Sequence, residues 1–382
     1  MESLEEATFP QFKTFGKVQK RNLESLEEVT FPQFKTFGKI QKRNLESLKK
    51  VTFSKVQNFR EDSIKYLLNQ NSSVRLKTIV FTVCTPDQYP FVKVLAESLP
   101  AGVSFNIGTV AGTLEKGVSF ADLGHSEVAS MQQRYDATAL AAASKPFFAD
   151  YFLQKEQADA IVYFDPTIWW LGDWAEIETQ LQNNDVVLTP RLTRTFGQSS
   201  YGDEKLFLNT GMYDAGFWAM KATDNTRKLL KWWQERLTDR AYFDVCNGMN
   251  HDQLWLNYIP IYFDKVTLNK NLGWNVALHN LHERIVTSTP NGWRVNQETP
   301  LAFFNFRESL SNNIVNQYLG ALALQKTYLQ RVQSHGGVPA APFSVRTQLR
   351  PTVPGWKQSL RQRIQSVIDS IRYFPLYHKI DQ

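Results

Sequence analysis

Residues 160–170 read Ala-Ile-Val-Tyr-Phe-Asp-Pro-Thr-Ile-Trp-Trp. Five apolar residues in a row are long enough for a buried strand. The run stops at Asp165-Pro166, because proline cannot donate to a sheet ladder. One carboxylate, Asp165, therefore stands at the carboxyl end of a buried strand, the edge at which open α/β sheets bind ligands. An acidic group there needs a cation or a hydroxyl-rich ligand such as a ribose. The competing reading is an ordinary turn-opening Asp before Pro.

The neighbouring pattern supplies a sheet around that strand. Lys77–Thr82 reads as an opening strand, with Val83–Asp87 as the loop at its end. Asp87–Leu99 reads as an amphipathic helix whose buried side is Phe91, Val92, Val94, Leu95 and Leu99, and Val103–Val110 as a second strand. A strand, helix and strand in this order begin a doubly wound α/β sheet. A helical text from Arg134 to Gln157 delivers the chain to the Asp165 strand. Its Arg134 and Lys145 suit either a phosphate ligand or surface ion pairs. Helices are expected over Asp173–Gln182 and Lys221–Leu237, and strands over Asp185–Thr189, Leu206–Asp214 and Leu301–Phe306. The second of these strands enters a tight turn at Asn209-Thr210-Gly211. Residues 111–132 carry no pattern that places them, and His125 reads as a surface residue.

Composition narrows the class. Of the 382 residues, 42% are hydrophobic, which suits a filled core rather than a disordered chain. Two cysteines, Cys84 and Cys246, make neither a disulfide framework nor a zinc site. With no leader-like start and no apolar run of about 18 residues, the expectation is a soluble cytoplasmic protein. The basic excess sits at the ends. Residues 1–60 hold twelve Lys/Arg against seven Glu, and residues 344–382 hold seven against two Asp, so the middle is slightly acidic. That distribution argues against a nucleic-acid-binding core.

The ends are organised separately. Glu2–Leu23 and Glu24–Leu45 are near-identical copies with a period of 22 residues, and an eroded third copy starts at Glu46. Residues 1–60 are expected to form a flexible or weakly helical extension, with self-association as the sharper alternative. A Pro-rich linker spans 336–355. Residues 356–382 read as a basic amphipathic helix, with Leu360, Ile364, Val367, Ile368 and Ile371 on one face and Lys357, Arg361, Arg363 and Arg372 flanking it. Docking on the body and peripheral contact with the inner membrane face are the two readings of that helix.

Two further stretches bear chemistry. Asn250-His251-Asp252-Gln253 precedes a short helix, where a carboxylate is favoured by the helix dipole whatever its role. Gly273–Arg284 (GWNVALHNLHER) is dense in amides and imidazoles with little apolar period, which suits hydrogen bonding to a polar ligand better than a core.

Taken in order, Thr82-Val83-Cys84-Thr85, Asp165-Pro166-Thr167, Asn209-Thr210-Gly211 and Asp252-Gln253 with Leu256-Asn257 resemble the GT-A fold of nucleotide-sugar-dependent glycosyltransferases. The glycogenin-like (family 8 type) enzymes are the nearest in style. The resemblance covers about Lys77 to Phe306 and implies a mixed α/β sheet flanked by helices over residues 76–330. It implies that Thr82, Cys84 and Thr85 cradle the base of a UDP- or GDP-linked donor and that Asp165 holds the ribose or an ion. Asn209, Gly211, Asp252 and Gln253 would face the donor sugar and a glycan or lipid-linked acceptor, with Asp252 and Gln253 as the catalytic pair and Arg134, His282 and Arg284 toward the diphosphate. Transfer would be of a hexose, with retention.

The sequence departs from that pattern twice. Thr167 stands where the family's Asp-x-Asp has its second carboxylate, and Asn305 where it often has a histidine. With both hard ligands replaced, an Mn²⁺ or Mg²⁺ ion on Asp165 is doubtful. Either the segment around His282 and Arg284 neutralises the diphosphate without metal, or the fold persists as a binding module with weak or no activity.

Overall fold

A computed structural model describes residues 76–337, apart from 113, 115, 196–203, 246–247 and 312, together with helical positions 360, 363, 364, 367 and 368. The 22-residue repeats, the segment to residue 75, Cys246, nearly all of the Pro-rich linker and most of the C-terminal helix lie outside the described residues.

The sheet is built where the apolar runs predict it. β1 (Thr78–Cys84) pairs in parallel with β2 (Ser104–Thr109) on one side and with β4 (Ala160–Phe164) on the other, and β3 (Val118–Ser119) extends the β2 edge. β5 (Ile168–Trp170) follows the Asp-Pro break. β6 (Val186–Pro190) and β7 (Tyr213–Lys221) come next, and β7 runs antiparallel to both β4 and β6. With the strand Val266–Leu268 beside β6, the sheet has seven strands in the order Val266–Leu268, β6, β7, β4, β1, β2, β3. It is a mixed sheet flanked by helices, as the resemblance implies.

Among the described residues the helices of seven or more residues are α1 (Tyr89–Ser98), α2 (Val128–Arg134), α3 (Ala137–Glu156), α4 (Trp174–Asn183), α5 (Glu204–Thr210), α6 (Asp224–Leu237) and α7 (Leu319–Ser334). Both faces of the central strands are covered, which is why β4 reads as an unbroken apolar run. Phe81, Tyr163 and Trp218 share one core with Phe148 and Phe152 of α3 and Trp233 of α6. Val80, Val162, Phe164 and Phe217 share the other with Trp170, Trp174, Trp274 and Phe303. Each such side chain contributes roughly 1.5–3 kcal/mol on burial.

One element differs from expectation. Residues 206–210 are the end of helix α5, not a strand, and the strand starts later, at Tyr213. In the Leu-Phe-Leu text only Phe207 packs inward, while Leu206 and Leu208 are exposed. Two-fold alternation over three residues cannot separate the two states. The strand that the sequence conceals, β7, is the one that makes the sheet mixed.

After β4 the chain turns at Asp165, whose carbonyl accepts from Ile168 N at 3.0 Å. β5 then leaves the main sheet and pairs antiparallel with the strand Phe303–Asn305, which also pairs with Val276–Ala277. Two small-sheet strands thus converge on the carboxyl end of β4.

Candidate active site

Asp165 is 4% exposed. Its Oδ1 accepts from the Tyr163 hydroxyl at 2.7 Å and lies 3.7 Å from Lys145 Nζ, and its Oδ2 accepts from an Arg307 guanidinium nitrogen at 3.3 Å. Burial alone would raise its pKa, but Lys145, Arg307 and the Tyr163 hydroxyl reverse that and hold it below the ordinary value. Burial and the neighbouring Asp165 push the Tyr163 phenol well up, so it stays a donor.

Lys145 comes from α3, whose inner surface is apolar almost all round. Its ammonium donates to Ala215 O at 2.9 Å, sits 4.5 Å above the Tyr163 ring and forms an ion pair with Asp252 at 2.8 Å. One buried cation therefore joins Asp165, from the end of β4, to Asp252, from the segment ahead of the Leu254–Tyr258 turn. Gln253 beside it donates to Thr210 O at 2.6 Å, and the Asn250 amide donates to the same oxygen at 2.6 Å. Gly211 sits against Gln253 with φ +110°, a conformation that favours glycine. Asp252 and Gln253 are thus brought to Asp165 and to the 210–216 segment.

A second charged group lies alongside. Glu308 accepts from Arg191 at 3.1 Å and bonds His279 Nδ1 at 3.0 Å. Burial alone would raise its pKa, yet His279, Arg191 and Arg307 lower it to about 2. His279 Nε2 lies 3.9 Å from Asp214, whose Oδ1 accepts from Gly216 N at 2.6 Å. Gly216 allows this crowding, since a Cβ there would stand 2.5 Å from Asn305 Nδ2 and 3.1 Å from Asp165 Oδ2.

The other expected site residues fall in three places. Thr82 and Cys84 are buried in β1, with Thr85 at its carboxyl end, so this group shares the sheet edge with Asp165. Burial, helped by Asp87, pushes the Cys84 thiol up to about 12, which makes it an apolar filler rather than a ligand. Asn209 is exposed on α5 rather than in a turn, and Arg134 is exposed at the end of α2. Arg284 is 1% exposed; its guanidinium is held by Glu283 and by the backbone oxygens of Trp274 and Asn275. Glu283 in turn accepts from Thr193 N and Arg194 N. The 273–284 segment is mostly buried; Asn280 and Arg284 bond the protein's own backbone, His279 bonds Glu308, and the Asn275 amide is buried without a hydrogen-bond partner. Arg284 is therefore a scaffold for this loop rather than an open cation. His282, half-buried, has its pKa lowered by burial.

Sequence reasoning weighed Lys145 without preferring it and passed over Tyr163, Asp214, His279 and Arg307. The available signals were a lone lysine inside an apolar helix and an arginine two residues past the Asn305 position.

A divalent ion on Asp165 does not fit this set. Two fixed cations already lie within 4 Å of its carboxylate. Thr167 Oγ1 donates to Asn305 Oδ1 at 3.1 Å, so the two positions implied as ligands are neutral and bonded to each other. Like charges 4 Å apart repel by roughly 4 kcal/mol near a protein surface, and a dication doubles this. Among the described residues no group of three His, Cys, Asp or Glu is arranged to hold a metal.

No family model matches the sequence, and no curated protein matches it. Similar solved structures are glycosyltransferases. The galactosyltransferase LgtC in complex with donor and acceptor sugar analogues is 14% identical, covering 69% of this chain and 98% of its own, with a TM-score of 0.42. A glycosyltransferase involved in glycosylation of the major capsid of PBCV-1 is 7% identical over 68% and 98%, with a TM-score of 0.38. Mouse xyloside xylosyltransferase 1 is 11% identical over 60% and 97%, with a TM-score of 0.33.

Proposed function

We propose that this protein transfers a hexosyl group, with retention, from a UDP- or GDP-linked sugar to a hydroxyl of a glycan or lipid-linked acceptor. One observation carries the reading. Asp165 and Asp252 are joined by a single buried ammonium, Lys145, at the carboxyl edge of the sheet, and a second cation, Arg307, sits beside them. Hydroxyl-rich ligands are gripped by buried carboxylates of this kind, and a diphosphate leaving group needs cations.

Asp165, fixed by Tyr163, binds the donor ribose in this reading, and the end of β1 at Thr85 meets the base. Asp252 and Gln253 orient the donor sugar and the acceptor. As the sugar C1–O bond breaks, its electron pair goes to the diphosphate oxygen. The acceptor oxygen bonds C1, and its proton passes to that phosphate. Turnover is tested by incubating the protein with UDP- and GDP-sugars and measuring released nucleotide. Asp165→Asn is expected to lose release with the fold intact, and release at the wild-type rate would reject the assignment.

Among the described residues no helix is long and apolar enough to cross a membrane. Leu360, Ile364, Val367 and Ile368 of the C-terminal helix are each 48–57% exposed. We favour contact of this basic helix with anionic lipid at the inner membrane face, tested by sedimentation with phosphatidylserine vesicles.

A further inference from the structure

We infer that Arg307 is the cation that receives the donor's diphosphate, in the place where the resembled family uses a metal ion. The inference rests on the donor-site reading above.

Exposure separates Arg307 from its neighbours. The side chains of Lys145 and Asp165 are 4% and 6% exposed, whereas that of Arg307 is 45% exposed. The ammonium is enclosed by its protein partners. The guanidinium donates to Asp165 with one nitrogen, and close to half of the side chain is exposed. A guanidinium carries five N–H donors in a planar fork, so a single bond to Asp165 leaves a pair for two phosphate oxygens.

The backbone beneath Arg307 is fixed by the same residues that would otherwise be ligands. Asn305 Oδ1 accepts from Thr167 Oγ1 at 3.1 Å and from Arg307 N at 3.1 Å. Phe306 N donates to Thr167 O at 3.1 Å. The Phe306 ring stacks on Tyr328 with centroids 4.0 Å apart and 8° between planes. Positions 167 and 305 thus serve to hold an arginine, and the arginine occupies the charge role that two harder side chains would give to an ion. In the transfer step no bond to Arg307 forms or breaks; its N–H groups meet the charge that the departing diphosphate gains.

The test is calorimetric titration of the full chain with UDP and with GDP, in EDTA and in Mn²⁺, for wild type, Arg307→Gln and Arg307→Lys. Wild type is expected to bind one nucleotide about equally well in EDTA and in Mn²⁺. Arg307→Gln should weaken binding in EDTA on the order of tenfold or more, as loss of a charge-assisted contact does. Arg307→Lys, which keeps the charge without the fork, should fall between. Thermal melting of each variant in buffer confirms that it is folded, and the lysine variant serves if the glutamine variant is not. Wild-type binding that requires Mn²⁺ would overturn the role of Arg307 while leaving the donor reading standing. Undiminished binding by Arg307→Gln in EDTA would do the same. Binding of neither nucleotide under any condition would reject the donor reading itself.

Discussion

Lys145 and Asp252 form a buried ion pair at 2.8 Å, with side chains 4% and 5% exposed. A charge so enclosed is tolerable only because its partner is present. Lys145→Met would leave Asp252 and Asp165 facing each other without the ammonium. We expect a loss of about 3–5 kcal/mol, measured as the shift in urea midpoint. The paired change Lys145→Met with Asp252→Leu should recover part of it. No recovery would mean that the pair is not the source of the loss.

Acid stability follows from Glu308 and Asp165. Both have folded pKa values below their ordinary ones, Glu308 falling from 4.5 to about 2. Each therefore contributes stability that is fully present above its unfolded value and lost as pH falls through its folded one. Glu308→Gln should be less stable than wild type at neutral pH. The gap should narrow between about pH 4.5 and 2, as followed by urea unfolding at stepped pH. A gap independent of pH would contradict the assigned role of His279 and Arg191 in holding the carboxylate charged.

Gly216 marks the closest packing in the site. A methyl group there meets the Asn305 amide, Asp214 and Asp165 at once. Gly216→Ala is expected to cost about 1–3 kcal/mol and to weaken nucleotide binding, because both carboxylates must shift. Melting and titration like those of wild type would show that the site is looser than described.

Tyr328 separates packing from hydrogen bonding. Its ring stacks on Phe306, and its hydroxyl is buried without a hydrogen-bond partner. Tyr328→Phe should be neutral or stabilising, since it removes a polar group buried at a cost. Tyr328→Ala should lose about 3–5 kcal/mol and weaken nucleotide binding through Arg307. Both can be read from thermal melting and titration.

Much of this was legible in the sequence for a physical reason. Strands covered on both faces read as apolar runs, and Asp165-Pro166 marked where the central one ends. The pairing of Asp252 with Lys145 was not legible from local pattern. What stayed hidden depends on long-range packing. Lys145 looks like a chance charge in an apolar helix until Asp165 and Asp252 are folded against it, 20 and 107 residues away in sequence. Arg307 sits where local pattern sees only the end of a strand. Arg284 misled because a guanidinium that bonds its own loop has the same composition as one that binds phosphate. Asn209 misled because a three-residue apolar stretch fits helix and strand alike.

In the proposed function the Asp165 edge of the sheet binds a nucleoside diphosphate. Thermal melting of wild type and Asp165→Ala with UDP, GDP and their sugars, each in EDTA, tests it most directly. Ligand that binds the native state raises the melting temperature by mass action. We predict an upward shift with UDP or GDP in wild type that is lost in Asp165→Ala. A folded wild-type protein whose melting temperature moves with none of them, or an equal shift in Asp165→Ala, would contradict the account.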